Sequence, residues 1–298
     1  MADAKRTLGL QRIVLQPILP VVACYLRRTR LSKGRWRLTQ MFLPKLRKLG
    51  DYMGSRQITT RHGFKMIVDL GEWIGQHIYM TGSFEPSTAR LMNSLLREGD
   101  IAIDVGANIG FFTLLASRKV GASGKVHAFE PVPSTVCALR RNLDINAAQN
   151  VVVHAIALSN RSGIVTVYEG PARNKGLSSM RPVDGAARQL AVRSAAFDDL
   201  DVETARLRLI KIDVEGAEQV VIEGMNGCLK RWHPWLIVEI TDRFLAKFGH
   251  SAVSLTEKLR QLGYRVYQIT DEGTVDLPEA PEAWPKQFNA FCTSEVKR

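Results

Sequence analysis

The segment 101–113, with the sequence IAIDVGANIGFFT, constrains the fold of this chain more than any other. Its apolar start, Ile101–Val105, predicts a buried strand, and the apolar residues after Gly110 predict a helix. Gly106 and Gly110 allow the sharp turn that must join the two, because glycine adopts backbone angles that other residues avoid. Such a turn is typical of α/β sheets that bind a ligand at the carboxyl ends of their strands.

Strand-like and helical patterns alternate from this segment to the end of the chain. Strands separated by helices predict parallel pairing with right-handed crossovers, and hence a doubly wound sheet. Seven core strands are expected, at residues 101–105, 125–129, 151–155, 207–212, 235–240, 265–269 and 288–293. Strand-like runs at 164–168 and 190–196 predict an inserted hairpin. The spacing of Ser254 and Glu257 predicts a capping box for a late helix.

Positive charge is concentrated at the amino terminus. Residues 1–50 contain twelve Lys and Arg and one acid, Asp3, which gives +11, so residues 51–298 carry +1 of the total of +12. We therefore expect a basic extension over residues 1–54 and a main domain over residues 55–298. The high overall pI does not by itself indicate nucleic-acid binding, because the main domain is nearly neutral.

An apolar run, Ile18–Leu26, lies inside the basic extension. It is too short to cross a hydrocarbon core of ~30 Å, and Pro17 and Pro20 interrupt it. Three interpretations stay open: a helical extension packed on the domain or partly disordered, peripheral attachment to an anionic membrane surface, and, least favoured, a cleaved signal or a transmembrane helix. The four cysteines form no CxxC pair, which predicts a reducing compartment. We expect a cytoplasmic location, with attachment at the inner membrane surface as the alternative.

The turn at 104–110 could serve two classes of ligand. A nicotinamide dinucleotide needs a GxGxxG turn for its pyrophosphate, but Asn108 stands where the second glycine would be. S-adenosylmethionine (SAM) has no phosphate, and Asp104 can bind its ammonium group. Glu130, at the end of the next strand, can accept hydrogen bonds from both ribose hydroxyls. These two acids favour SAM; a dinucleotide site and a purely structural turn are the alternatives.

Eight motifs extend this pattern: GSFE, IAIDVGANIGFFT, HAFEPVP, AIALSN, KGLSSM, FDDLD, IKIDVEGAE and WLIVEI. With them the chain resembles the FkbM-type methyltransferases, a branch of the class I SAM-dependent enzymes, over about residues 63–293. The resemblance implies a Rossmann-like seven-stranded sheet with helices on both faces and a reversed last strand. It also implies SAM as methyl donor and a hydroxyl of a sugar, glycan or secondary metabolite as acceptor. Cofactor contacts are expected from Glu85, Asp104, Gly106, Asn108, Gly110, Glu130, Ala157 and Asp213.

Carboxylates at the strand ends are the predicted catalytic groups. A hydroxyl acceptor must lose its proton, and Asp213 and Glu239 end two neighbouring strands at the edge where ligands bind. Glu215 and Glu218 either join them or stabilise the start of the following helix. No metal ion is predicted; a magnesium ion held by Asp213, Glu239 and Asp242 is the alternative.

The histidines and the insert offer further candidates. His127 and His154 fall in predicted core strands and are expected to be structural, whereas His233 and His250 border loops and are alternative bases. The polar loop of the insert would contact the acceptor or act as a lid. Its candidate residues are Arg173, Lys175, Ser178, Ser179 and Arg181.

Two other functions stay open. A nucleic-acid methyltransferase would use the basic extension as its binding surface, but the domain lacks an Asn/Asp-Pro-Pro-aromatic motif. A non-catalytic binding module would keep the fold without affinity for SAM. The sequence does not indicate an oligomeric state.

Overall fold

The computed structural model describes residues 17–29 and 32–294. The chain divides into two compact units: Met1–Phe84 with Ala172–Lys175, and Glu85–Pro171 with Gly176–Arg298. The first unit contains the basic extension and the hairpin after it, so the predicted boundary between residues 54 and 55 lies inside this unit. Part of the predicted insert, Ala172–Lys175, belongs to the same unit.

Three helices and a hairpin make up the described part of the first unit. They are α1 (17–28), α2 (Ser32–Met53), β1 (Ser55–Thr59), β2 (Lys65–Asp69) and α3 (Trp73–Thr81). In the antiparallel hairpin, Ile58 lies opposite Met66, and both side chains are buried. One face of α1 is buried through Leu19, Ala23 and Leu26, which follow one another at helical spacing.

The opposite face of α1 is apolar as well. Ile18, Val21 and Tyr25 are 40%, 68% and 49% exposed. Arg28 continues this exposed face by one further turn. Across residues 17–29 and 32–294, no helix is both long enough and apolar enough to cross a membrane.

Net charge differs strongly between the two units. The first unit contains 17 of the 41 Lys and Arg and 4 of the 29 Asp and Glu, so it carries +13 and the second unit carries −1. Arg173 and Lys175 of the insert add to the charge of the first unit. Attachment of this unit to an anionic surface stays a prediction, as does the cytoplasmic location.

The second unit contains two sheets with helices between their strands. The described helices are α4 (Pro86–Leu95), α5 (Phe111–Val120), α6 (Pro133–Asp144), α7 (Glu218–Gly224), α8 (Asn226–Trp232), α9 (Asp242–Leu245) and α10 (Ala252–Gln261). The strands are β3 (Ile101–Val105), β4 (Lys125–Phe129), β5 (Val151–His154), β6 (Ala157–Ser159), β7 (Gly163–Glu169), β8 (Arg188–Ala196), β9 (Leu207–Ile212), β10 (Trp235–Thr241), β11 (Tyr264–Ile269), β12 (Thr274–Asp276) and β13 (Gln287–Ser294).

The large sheet has the strand order β12-β11-β13-β10-β9-β3-β4-β5. Strands β5, β4, β3, β9 and β10 run parallel, and β13 runs antiparallel to both of its neighbours. The Rossmann-like class I methyltransferase sheet with its reversed last strand is therefore confirmed. It has eight strands rather than the seven expected, because the turn from Thr270 to Gly273 returns the chain as the short edge strand β12. A three-residue strand has no periodicity from which to predict it.

A second, three-stranded sheet has the order β6-β8-β7. The predicted hairpin of the insert is confirmed by the antiparallel pairing of β7 and β8, in which Ile164 lies opposite Arg193. The sequence does not predict β6, which pairs parallel to β8. A small apolar cluster of this sheet combines Ala157 with Val132, Val167 and Val192.

The cap of helix α10, Ser251, lies three residues before the predicted one. Ser251 caps the helix by accepting a hydrogen bond from the backbone N–H of Ser254 at 3.1 Å. The Ser254 hydroxyl in turn accepts from the Ser251 backbone N–H at 2.9 Å. The predicted box of Ser254 and Glu257 is therefore wrong, because Ser254 supplies the inner half of a box that starts at Ser251.

Parallel pairing brings four acids to one edge of the large sheet. Asp104, Glu130, Asp213 and Glu239 lie at or just beyond the carboxyl ends of β3, β4, β9 and β10. All five residues of β3 are buried, and the chain leaves the sheet at this edge through the turn that follows. This is the edge at which open α/β sheets bind ligands.

A pair of histidines under this sheet predicts acid sensitivity. His127 Nδ1 lies 3.1 Å from His154 Nε2. Burial, with the nearby His154 and Lys125, lowers the pKa of His127 to about 4. Because that pKa lies below the unfolded value of about 6.5, stability is complete above pH 6.5 and falls as the pH drops towards 4. We expect His127→Gln to reduce the acid loss between pH 7 and pH 5 by about 1–2 kcal/mol, as measured by urea unfolding. An unchanged acid loss in the variant would contradict this assignment.

Candidate active site

The turn between β3 and α5 is held in left-handed backbone conformations. Gly106, Asn108 and Gly110 have φ values of 81°, 48° and 92°. A Cβ on Gly106 would lie 1.8 Å from the carbonyl oxygen of Asp213, and one on Gly110 would lie 2.5 Å from the Leu139 side chain. Both glycines are therefore required by contacts within the protein itself. Gly106 in particular packs the turn after β3 directly on the turn after β9.

Asp104 is buried just before this turn. Its Oδ2 accepts a hydrogen bond from the Thr113 hydroxyl at 2.6 Å, whereas its buried Oδ1 has no hydrogen-bond partner. Burial raises the pKa of Asp104, although the charge of Lys211 and the bond from Thr113 oppose this effect. A buried carboxylate oxygen without a partner is costly. The ammonium group of SAM would satisfy it, so this site fits the cofactor.

Glu130 binds the same turn from the end of β4. Its Oε2 accepts from the Asn108 backbone N–H and its Oε1 from the Val132 backbone N–H, both at 3.0 Å. Burial raises the pKa of Glu130 to about 7, against the effect of these two bonds. A carboxylate offers about four acceptor positions, so two stay available for a pair of ribose hydroxyls. Ala157 lies in the apolar cluster beside Val132 and has no polar side chain to add.

Lys211 is the central cation of the site, and it was not identified from the sequence. Its side chain is 2% exposed, and its Nζ donates to Asp213 Oδ2 at 2.7 Å. The same ammonium lies 4.5 Å from the centre of the Phe112 ring. Burial would lower the pKa of Lys211, but the charges of Asp213, Glu85 and Asp104 outweigh it and raise the pKa above its ordinary value. Lys211 is thus a permanent positive charge among three predicted site residues.

Glu85 reaches this cluster from the start of α4. Its backbone is left-handed, with φ of 39°, and its Oε2 accepts from Asn289 Nδ2 at 2.9 Å. Burial raises the pKa of Glu85, against the charge of Lys211. Glu85, which the sequence predicted as a site residue, thus interacts with Lys211. Its hydrogen-bond partner Asn289 was not predicted.

Asp213 and Glu239 form a hydrogen-bonded carboxyl pair. Ile212 lies opposite Val238 in the parallel pairing of β9 and β10, so the next residues on the two strands are neighbours. Burial would raise the pKa of Asp213, but Lys211 and the hydrogen bond with Glu239 lower it. Burial and the charge of Asp213 raise the pKa of Glu239 well above its ordinary value. The pair therefore favours the charged form of Asp213 and the protonated form of Glu239.

Glu215 and Glu218 have different roles in the turn after β9. Glu218 Oε1 accepts from the backbone N–H groups of Val214 and Gly216, each at 3.1 Å, and so stabilises the turn. Burial raises the pKa of Glu218 to about 7. Glu215 instead groups with Asp213 and Glu239, with one oxygen of each within 4.8 Å of the others. The Ser179 hydroxyl of the insert donates to the Glu215 carbonyl at 2.9 Å.

Several predicted candidates lie outside this group. Asp242 does not join Asp213 and Glu239, because its Oδ1 accepts from the Ala252 backbone N–H at 2.8 Å at the start of α10. His127 and His154 contact each other under the sheet, and His233 ends α8.

The insert residues are divided between the two units. Arg173 and Lys175 belong to the first unit, where the Arg173 carbonyl accepts from the Trp73 N–H at 3.0 Å. Ser178 accepts from the Gly170 backbone N–H at 3.0 Å, and the Arg181 guanidinium lies 5.1 Å from the centre of the Phe248 ring. Ser179 is thus the insert residue whose side chain contacts the turn that carries Glu215.

Known proteins resemble the chain across this region. The hexuronic acid methyltransferase AglP of Haloferax volcanii is 31% identical over 52% of this chain and 62% of that protein. The 31-O-demethyl-FK506 methyltransferase FkbM of Streptomyces tacrolimicus is 32% identical over 44% of this chain and 61% of that protein. The chain thus covers about six-tenths of the length of these curated relatives.

Comparison of the fold and of the family gives two further findings. The crystal structure of methyltransferase FkbM from Methylobacillus flagellatus KT is 14% identical, with a TM-score of 0.41 over 73% of this chain and 52% of that chain. A family model described as the methyltransferase FkbM domain matches residues 104–266, or 163 of the 298 residues. Because this match spans more than half of the sequence, the chain belongs to the FkbM family of SAM-dependent methyltransferases.

Proposed function

We propose that the protein transfers the methyl group of SAM to a hydroxyl of a sugar, a glycan or a secondary metabolite. The observation that carries this proposal is the Asp213–Glu239 pair, which adjoins the cofactor turn through the contact between Gly106 and the Asp213 carbonyl. The names of two relatives support a sugar or metabolite acceptor, one a hexuronic acid methyltransferase and the other a 31-O-demethyl-FK506 methyltransferase. The second name also supports transfer to oxygen.

The cofactor side depends on charge and on backbone contacts. SAM, when bound, supplies a methyl group that its sulfonium already activates. Asp104 would bind the ammonium group through its unpartnered Oδ1, and Glu130 would accept from the ribose hydroxyls. Neither acid has to move for this, because Thr113 and the backbone of the turn already hold them. Positioning of this kind contributes to the rate by removing the entropy cost of orientation.

The acceptor side needs a group that takes one proton. As the acceptor oxygen forms its bond to the methyl carbon and the carbon–sulfur bond breaks, the hydroxyl becomes strongly acidic. The anionic carboxylate of the Asp213–Glu239 pair would accept that proton. Lys211 keeps Asp213 charged beforehand, so the pair is ready to act as the base at neutral pH.

The test of this function uses SAM labelled in its methyl group. We expect the protein to label hexuronic-acid oligosaccharides or hydroxylated metabolites with a methyl ether that resists alkali. Asp213→Asn should lower kcat by about 10²–10⁴-fold, because the charged carboxylate that would take the hydroxyl proton is lost. Glu257→Gln, on an exposed position of α10, is the matched control and should keep full activity.

Two results would contradict the proposal. Release of the label as methanol in alkali would indicate methylation of a carboxyl group, which needs no base. Full kcat in a folded Asp213→Asn would show that the Asp213–Glu239 pair does not take the hydroxyl proton.

A further inference from the structure

We propose that Asp213, Glu215 and Glu239 form a binding site for one divalent cation of the magnesium type. The site lies on the acceptor side of the candidate active site, at the carboxyl ends of β9 and β10. Binding of the cation is argued from the geometry of the three carboxylates alone. Its role in methyl transfer rests on the proposed function.

The three carboxylates have the spacing of ligands around one ion. One oxygen from each lies within 4.8 Å of the other two. Oxygen ligands of an octahedral Mg²⁺ ion lie about 3 Å apart when adjacent and about 4.2 Å apart when opposite, because each bond is about 2.1 Å long. Side-chain shifts of up to about 1 Å would bring the three oxygens to these spacings. Carboxylate oxygens are the ligands that Mg²⁺ and Mn²⁺ prefer.

Glu215 provides a second, independent observation. Its Oε2 is fully buried and has no hydrogen-bond partner, which is costly for a carboxylate. The carboxyl group nevertheless belongs to the set of three rather than facing solvent. The Ser179 hydroxyl holds the Glu215 carbonyl at 2.9 Å, so the turn that carries this residue is fixed. A cation is the ligand that would satisfy this oxygen.

The other two carboxylates keep an oxygen for the ion. Lys211 bonds Asp213 through Oδ2, which leaves Oδ1 for a further partner. Gln287 donates to Glu239 Oε1 at 2.8 Å, and the hydrogen bond that Glu239 makes with Asp213 would give way to the cation. All three residues are half-buried, so the ion can enter from solvent without an opening of the fold.

Charge around the site favours a cation as well. Five carboxyl groups act on one another here, and Lys211 is the fully buried ammonium among them; the five are Glu85, Asp104, Asp213, Glu215 and Glu239. Arg243 adds a further positive charge, which acts on Glu215 more strongly than Lys211 does. Lys211 is the buried positive charge among these acids, and a divalent ion would add two more where they meet.

A bound cation would involve all three carboxylates in activating the acceptor hydroxyl. An acceptor hydroxyl that completes the coordination of the ion would become more acidic, as water does on a metal ion. Asp213 and Glu239 would then act on the acceptor through the ion that they hold. Asp242, which the sequence offered as a ligand, stays at the start of α10.

The test titrates Mn²⁺ into the protein without SAM or acceptor, and follows free Mn²⁺ by electron paramagnetic resonance. We expect one saturable site from which Mg²⁺ displaces Mn²⁺, together with a rise in Tm as the site fills. Glu215→Gln and Glu239→Gln should each weaken Mn²⁺ binding at least about tenfold, whereas the exposed Glu257→Gln should bind as the wild type does. Thermal melts of each variant without Mn²⁺ show that it is folded.

The outcomes separate this site from the proposed function. No saturable binding below about 10 mM Mn²⁺, or unchanged binding in a folded Glu215→Gln, overturns the cation site. If EDTA-treated protein then still methylates a hydroxyl at the full rate, methyl transfer stands without the ion. Saturable binding that depends on Glu215, in a protein that methylates no hydroxyl, keeps the cation site and rejects the transfer.

Discussion

Asp104→Asn is expected to weaken SAM binding by about 30- to 150-fold, which corresponds to about 2–3 kcal/mol. The variant keeps the size of the side chain and its contact with Thr113, but it loses the negative charge that would face the ammonium group of SAM. Titration calorimetry with SAM measures this effect directly. Thr113→Val is the matched control, since it removes the 2.6 Å hydrogen bond and leaves the charge.

The same substitution should not destabilise the protein without its cofactor. Asp104 is fully buried with an unpartnered oxygen, and an amide costs less to bury than a carboxylate. We therefore expect the Tm of Asp104→Asn without SAM to equal or exceed that of the wild type. Unchanged SAM affinity in a folded Asp104→Asn would show that the ammonium group binds elsewhere.

Lys211→Met is expected to lower the free energy of unfolding by about 3–5 kcal/mol at pH 8, because it leaves buried carboxylates without their ammonium partner. Lys211 is 2% exposed and bonds Asp213 directly, so no solvent replaces the lost charge. Lys230→Met, at an exposed position of α8, is the control and should stay within about 0.5 kcal/mol of the wild type. Urea unfolding measures both.

The loss in Lys211→Met should depend on pH in a defined direction. Without Lys211, the pKa of Asp213 rises above its unfolded value, so the folded variant binds a proton that the unfolded chain releases. Stability of the variant therefore falls as the pH rises from about 5 to 8, and its difference from the wild type grows over this range. Lys211→Met combined with Asp213→Asn should recover much of the loss, since it removes both charges. An additive double variant would contradict direct pairing.

The sheet and the cofactor turn could be predicted from the sequence because each is encoded locally. The buried strand 101–105, the glycines of the turn and the apolar helix after it are adjacent in the chain. Asp104, Glu130, Asp213 and Glu239 followed from these strands, because parallel strands end at one edge of the sheet. The number of strands was one too low, since β12 depends on a turn at 270–273 and not on hydrophobic pattern.

The positions of the Lys211 and Glu215 side chains could not be predicted from local sequence pattern. A lysine in the strand LRLIKI has no sequence signal for burial, because its burial is stabilised by acids from other parts of the chain, such as Glu85 and Asp104. Glu215 has a left-handed backbone with φ of 53°, and its carboxyl group lies with those of Asp213 and Glu239, whereas Glu218 binds the backbone of its own turn. Both facts depend on contacts between distant segments.

The contact of Gly106 with the Asp213 carbonyl fixes a distance that the chemistry needs. Because the turn after β3 and the turn after β9 meet backbone to backbone, the donor and the base keep their separation without help from mobile side chains. Substitutions in the insert, which the sequence predicts to contact the acceptor, are therefore expected to leave the separation between the proposed donor site and the proposed base unchanged. In the proposed enzyme, acceptor specificity and the separation between donor site and base would thus depend on different parts of the chain.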